Sequence, residues 1–213
     1  MIDIFIVDDG SEKSTAEELL YNYVLPEWGP TLQLWRVSRN LGFNSHGCRN
    51  LIAKYAETDS IAFFDIDMIM YPTDMAKLKT INFSDHGKRI FFHDLYIKTN
   101  QKYVNMPGHE NCFVITKDLF WEAGGYDESF TGHHWGDREF VKRIIDTGAK
   151  KRHTSCKVEL TRKGRHGTVR PDLVDKTVYI DDDKFIVPLS TKKVKKLKGT
   201  ITRKLNFPFV RIL

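Results

Sequence analysis

The sequence predicts an α/β fold: a Rossmann-like, mostly parallel central sheet flanked by helices. Three observations point there. Short apolar runs, "IDIFIV" (2–7), "LQLWRV" (32–37) and "SIAFFDID" (60–67), alternate with segments of helical periodicity. The first run ends in the turn-forming cluster "DDGS". At 213 residues the chain is long enough to bury a substantial core. A β-α-β-α-β order implies parallel strands joined by right-handed crossovers.

Each element has its own signal. Ser14 with Glu17 reads as a capping box, followed by a helical face of Leu19, Leu20, Tyr23 and Val24 that Pro26 ends. "NSHGCRNLIAKYA" (44–56) carries Cys48, Leu51, Ile52 and Tyr55 at the spacing of one helix face. Beyond Asp67, "RIFFHDLYI" (89–97), "NCFVIT" (111–116) and "KVELTR" (157–162) read as strands. "KDLFWEAGG" is a short helix closed by glycine. "DREFVKRIIDTG" is a second, with Phe140, Val141, Ile144 and Ile145 on one face and Gly148 as its stop.

Composition excludes several classes. With 41% hydrophobic and 29% charged residues the chain reads as soluble and globular. No apolar run nears the roughly 20 residues that span a bilayer. The N-terminal run is too short for a signal peptide and contains Asp3. Cys48, Cys112 and Cys156 lack metal-type spacing and read as reduced thiols, so a cytoplasmic location is expected. Residues 192–213 hold 8 of the 33 basic residues and no acid. The remainder has 25 basic against 28 acidic residues, a formal −3. A nucleic-acid-binding body is therefore not supported. The basic tail reads as a solvated end or linker, or as a patch for an anionic surface.

In an open α/β sheet, ligands bind beyond the carboxyl ends of the strands. "VDDGS" and "DID" stand at two such ends, so Asp8, Asp9, Asp65 and Asp67 are expected around one crevice. Past a strand end, Asp65 and Asp67 are able to approach one cation, and oxygen ligands favour Mg²⁺ or Mn²⁺ shared with substrate phosphates. The bland alternative is a solvated turn. Asp8 is an acceptor for a nucleobase N–H and Asp9 for a ribose, against an Asx turn favoured by Asp-Gly-Ser itself. "NLGFNSHGCRN" opens a helix, whose N-terminus suits phosphate, and Arg49 adds a charge-assisted contact there unless it is an ordinary surface arginine. Tyr126, His133, His134 and Trp135 crowd a loop before a helix and offer rigid apolar faces with polar tips for a sugar, or pack in the core. Asp137 reads as a general base or as an N-cap. His166 is a candidate metal ligand, with His134 and His153 as competitors.

The order "IFIVDDGS", "NLGFNSHGCRN", "SIAFFDID" and "NCFVITKDLFWEAGGYDESFTGHHWGDREF" resembles a nucleotide-sugar-dependent glycosyltransferase of the A-type fold. The inverting family two and the galactosyltransferase-like groups are the most similar. The resemblance covers roughly residues 2–170, with "AGGYDESF…WGDREF" its most specific part. It implies one glycosyltransferase domain over 1–190, with a nucleotide-binding part (1–70) and an acceptor-side part (71–190), followed by a basic extension or linker (191–213). It also implies a UDP-sugar donor with a glucose-like hexose, a glycan or glycoprotein acceptor, and Mn²⁺ or Mg²⁺. In that pattern Asp8 contacts uracil, Arg49 lies near the diphosphate or ribose, and Asp65 and Asp67 form the metal-binding motif. Asp137 deprotonates the acceptor, Glu139 is the motif's later acid, and His166 resembles a late metal-binding histidine. Trp135 and His134 would belong to a lid over donor or acceptor.

Two departures stand out. The family's customary first strand is expected to be missing, because Met1 nearly abuts the "DDGS" strand. Gly136 occupies the place of a glutamate that many relatives carry before the catalytic acid, which leaves a retaining outcome open. Compactness suggests a viral glycan-building enzyme. The rival readings are a sugar-phosphate nucleotidyltransferase, whose glycine-rich phosphate loop "DDGSEKST" lacks, and a non-catalytic glycan-binding domain on the same fold.

Overall fold

A computed structural model of the chain describes residues 3–12, 15–23, 32–41, 44–98, 103–106, 108–128, 136–160, 178–179, 185–186, 205 and 207–212. In chain order the elements are β1 (Ile4–Asp8), α1 (Ala16–Tyr23), β2 (Leu32–Val37), α2 (Ser45–Tyr55), β3 (Ser60–Phe63), β4 (Met68–Met70) and α3 (Pro72–Thr80). A 3-10 turn (Phe83–His86), β5 (Arg89–Lys98), β6 (Tyr103–Met106), β7 (Phe113–Thr116), α4 (Lys117–Glu122), α5 (Gly136–Asp146) and β8 (Lys150–Leu160) follow. The two-residue strands β9 (Val178–Tyr179) and β10 (Phe185–Ile186) pair antiparallel, and β11 (Phe209–Arg211) ends the chain. Two compact units emerge: residues 1–56, 125–136 and 169–213, and residues 57–124 and 137–168.

In the first unit β1 and β2 run parallel, from Ile4 opposite Leu32 to Asp8 opposite Arg36. α1 is the crossover helix that such a pair requires. Its N-terminal box sits one residue later than "STAEE" suggested. The Thr15 amide donates to Glu18 Oε2 at 3.0 Å and the Glu18 amide to Thr15 Oγ1 at 3.2 Å. Ser-x-x-Glu and Thr-x-x-Glu are both present; the Asp8 carboxylate, which accepts from the Ala16 amide at 2.9 Å, stands at the observed helix start. α2 lays Cys48 and Leu51 on Trp35, Val37 and Phe207, with Phe5, Val7 and Phe209 packed against them. Full burial of each large side chain stabilises by roughly 1.5–3 kcal/mol. Tyr55 stacks on Trp35 with centroids 4.5 Å apart. The end of the expected extension therefore contributes structure: β11 pairs antiparallel with β2, and Phe207 joins the core.

The second unit holds a six-stranded sheet ordered β3-β7-β5-β8-β4, with β6 on β5. This sheet is mixed rather than purely parallel. Only β5 and β8 pair parallel in it; β3–β7, β5–β7, β5–β6 and β4–β8 are antiparallel. The expected parallel continuation treated β3 as a third strand beside β1 and β2, whereas its ladder forms with a strand some fifty positions on. Along β8, Thr154, Cys156 and Val158 point inward and Ser155 and Lys157 outward, the alternation of a half-covered strand. One cluster joins Leu78, Phe83, Phe91, Val114 and Cys156; another joins Leu95, Cys112 and Val158. Phe140, Val141 and Ile144 are the buried face of α5, as their spacing predicted. Among the described residues no helix is long and apolar enough to cross a membrane.

Candidate functional site

The two adjacent acids after β1 sit in different environments. Asp8 is 5% exposed. Its Oδ1 accepts from the Ser11 amide at 2.8 Å and its Oδ2 from the Ala16 amide at 2.9 Å. Burial pushes its pKa up, but these two backbone donors and the Arg36 guanidinium outweigh it, and the carboxyl is held below the ordinary range. Asp8 thus builds the Asx turn, with Arg36 donating to the Ser11 carbonyl at 2.8 Å. Gly10 makes the turn possible: its φ is +76°, and a Cβ there would lie 2.8 Å from the Arg39 carbonyl oxygen.

Asp9 is held by a different element. Its Oδ2 accepts from the Asn44 amide at 2.6 Å, at the start of α2. No partner in hydrogen-bond geometry faces Oδ1 among the described residues. Burial, countered in part by the Asn44 amide and the Cys48 thiol, raises its pKa to about 7. The Cys48 thiol is itself pushed up by burial and by the neighbouring Asp9.

Arg49 is not a surface arginine. It is 6% exposed, donates to Tyr126 Oη at 3.2 Å and lies 5.3 Å from the centre of that ring. Its neighbour Asn50, which sequence reasoning missed, is 1% exposed. Asn50 Oδ1 accepts from the Tyr126 amide at 2.7 Å; its Nδ2 donates to the Tyr126 carbonyl at 2.9 Å and to Glu128 Oε1 at 3.0 Å. Helix α2 therefore fixes Tyr126 and Glu128. His133, His134, Trp135 and His166 lie outside the described residues.

In the second unit the chain turns sharply after β3. The Met68 amide donates to the Asp65 carbonyl at 3.0 Å, closing a four-residue turn with Asp65 first and Asp67 third. Ile66, between them, is 93% exposed. The acids of "DID" thus stand at a solvent-facing rim, half-buried themselves. Asp65 Oδ2 accepts from Asn111 Nδ2 at 2.9 Å.

Asp137 is the second residue of α5 and so lies in its first turn, not at the cap. Acids are favoured there by the helix dipole. Glu139 is paired with Arg143 through both oxygens, at 2.6 and 2.8 Å, and Arg143 also donates to the Ala123 carbonyl. His153 Nδ1, on β8, lies 3.4 Å from Asp94 Oδ1, on β5.

No protein-family model matches the chain, and no curated protein matches it. Solved structures do. GalNAc-T7, crystallised with UDP, GalNAc and Mn²⁺, superposes with a TM-score of 0.60 at 17% identity over 74% of this chain. The fold is that of the A-type glycosyltransferases. The catalytic domain of Drosophila β1,4-galactosyltransferase 7, solved with xylobiose, gives a TM-score of 0.45 at 16% identity over 58% of this chain. The chain spans 37% of the first of these proteins and 50% of the second.

Two half-buried carboxylates on one turn are the hard oxygen ligands that Mn²⁺ or Mg²⁺ takes together with substrate phosphates. Among the described residues no group of three or more His, Cys, Asp and Glu side chains gathers to hold an ion. The two acids fit an ion that completes its coordination with substrate oxygens.

Proposed function

We propose that this chain is a metal-dependent glycosyltransferase that moves a hexosyl unit, glucose-like, from a UDP-sugar to the hydroxyl of a glycan or glycoprotein. The observation that carries the reading is the turn after β3, with Ile66 exposed at its tip and Asp65 and Asp67 on either side, in an A-type glycosyltransferase fold. Asp65 and Asp67 would hold Mn²⁺ or Mg²⁺, with Asp67 the stronger direct ligand. The ion, when bound, would stabilise the charge left on the departing diphosphate.

The chain's own residues supply the rest. Asp9, whose Oδ1 has no hydrogen-bond partner among the described residues, is the better of the two leading acids for a ribose hydroxyl; the Asp8 oxygens already serve backbone amides. Of the two acids on α5, we assign Asp137 to the acceptor, in keeping with the resemblance; Glu139 is ion-paired with Arg143 through both oxygens. In an inverting reaction Asp137 takes the acceptor proton; in a retaining one it positions the substrate. Arg49 and Asn50 act by holding Tyr126, and Asn50 also holds Glu128.

The test is UDP binding by calorimetry with Mn²⁺ and with chelator, for the wild type and Asp67→Asn. We expect Mn²⁺-dependent binding that the variant loses while its circular dichroism and melting temperature stay the same. Equal binding with and without metal, or an unaffected variant, overturns the assignment. Transfer from a panel of UDP-sugars, read by NMR of the product anomer, then identifies donor and stereochemistry.

A further inference from the structure

We infer that Asn111 is a positioning residue for the cation site: it sets the orientation of the Asp65 carboxylate without neutralising it. The inference rests on the assignment of Asp65 and Asp67 as metal ligands. Its basis is the β3–β7 ladder, which pairs Ser60 with Thr116, Ile61 with Ile115, Ala62 with Val114 and Phe63 with Phe113. Carried past the end of β3, the same register brings Phe64 opposite Cys112 and Asp65 opposite Asn111. At that position Asn111 Nδ2 donates to Asp65 Oδ2 at 2.9 Å.

Asn111 is itself anchored away from the acids. Its amide donates to His109 Nδ1 at 3.3 Å, and the Cys112 amide donates to the His109 carbonyl at 3.0 Å. The Cys112 carbonyl in turn accepts from the His93 amide on β5 at 3.0 Å. The side-chain donor therefore projects from a turn tied to two strands of the sheet.

The chemistry of the donor matters. A lysine or arginine at 111 would cancel the charge that a cation needs. A carboxamide N–H removes rotational freedom from Asp65 and leaves its full negative charge. Partners of this kind hold metal-ligating carboxylates in place, and their loss typically weakens metal binding on the order of tenfold to a hundredfold.

The experiment is an Mn²⁺ titration of the full chain with UDP present, followed by electron paramagnetic resonance of the unbound ion. Wild type, Asn111→Ala, Asn111→Leu and Asp65→Asn are compared, each with its melting temperature. Leucine matches asparagine in size and lacks the donor, so it keeps the turn filled if alanine fails to fold. We expect Mn²⁺ to bind roughly tenfold more weakly to both Asn111 variants at an unchanged melting temperature, and hardly at all to Asp65→Asn. Wild-type Mn²⁺ affinity in a folded Asn111 variant, with binding lost in Asp65→Asn, overturns the role of Asn111 alone. Wild-type affinity in Asp65→Asn overturns the metal assignment beneath it.

Discussion

Replacing Asp9 by asparagine should stabilise the protein at alkaline pH and cost it ligand binding. Burial raises the Asp9 pKa to about 7, from an ordinary value of 3.8. The sign follows from linkage. Between those two values the unfolded chain has released the proton and the folded chain still holds it, so stability falls as pH rises through that window. At about 1.4 kcal/mol per pKa unit, a shift of roughly three units amounts to about 4 kcal/mol lost by pH 8. Asparagine carries no charge and keeps a carbonyl to accept from the Asn44 amide. Its NH₂ takes the place of Oδ1, which has no partner among the described residues, and an unmet donor there costs about 1–3 kcal/mol. The net gain at pH 8 is then about 1–3 kcal/mol, shrinking toward zero or below at pH 4. Urea unfolding of both proteins at pH 4 and pH 8 measures the difference of differences, in which other titrating groups cancel. An Asp9→Asn protein no better placed against wild type at pH 8 than at pH 4 would refute the reasoning. If Asp9 also meets the ribose, the stabilised variant binds UDP less tightly, a trade of stability against function.

Three further outcomes are expected. Gly136→Ala should destabilise by roughly 1–3 kcal/mol in urea unfolding, because its Cβ would meet the buried His46 ring at 2.2 Å from Nε2; adding His46→Ala should restore part of the loss. Asn50→Ala leaves the Tyr126 amide and carbonyl without their side-chain partner and should cost about 2–4 kcal/mol, with faster proteolysis near residues 126–128. Thr15→Ala should lose about 1 kcal/mol through its helix cap, and Ser14→Ala much less; the reverse order would return the cap to the register first suggested by sequence.

Much of the fold was legible because its signals are local. Alternation placed β1, β2, β3, β5 and β7, and the 3.6-residue period placed α2 and the buried face of α5. What stayed hidden was pairing. Nothing within "SIAFFDID" says that β3 lies antiparallel to a strand fifty residues on, so the mixed sheet and the partnership of Asp65 with Asn111 were out of reach. The three-residue β4 and the nine-residue α3 were missed for a different reason. "MIM" is shorter than a usual strand, and "PTDMAKLKT" shows little apolar periodicity beyond Leu78, although Pro72 at its first position is a helix-start signal. The basic run toward the C-terminus hid "FPFVRI", whose apolar residues close the sheet of β1 and β2.

The adjacent acids of "DDGS" show where residue type stops being informative. Asp8 and Asp9 are identical in chemistry and one position apart. The backbone turn at Gly10 gives the first two amide donors and lowers its pKa, while burial of the second outweighs the Asn44 amide and the Cys48 thiol and leaves its pKa raised. Sequence resemblance assigned uracil to the first. The energetics argue that an oxygen already serving a backbone amide must break that bond to receive a ligand, which costs the structure, whereas a partnerless oxygen gains one. Ligand-seeking groups in a folded chain are those whose own fold leaves them unsatisfied. By that criterion Asp9 is the position where a bound hydroxyl would repay most, and where an amide in its place should be felt first in binding.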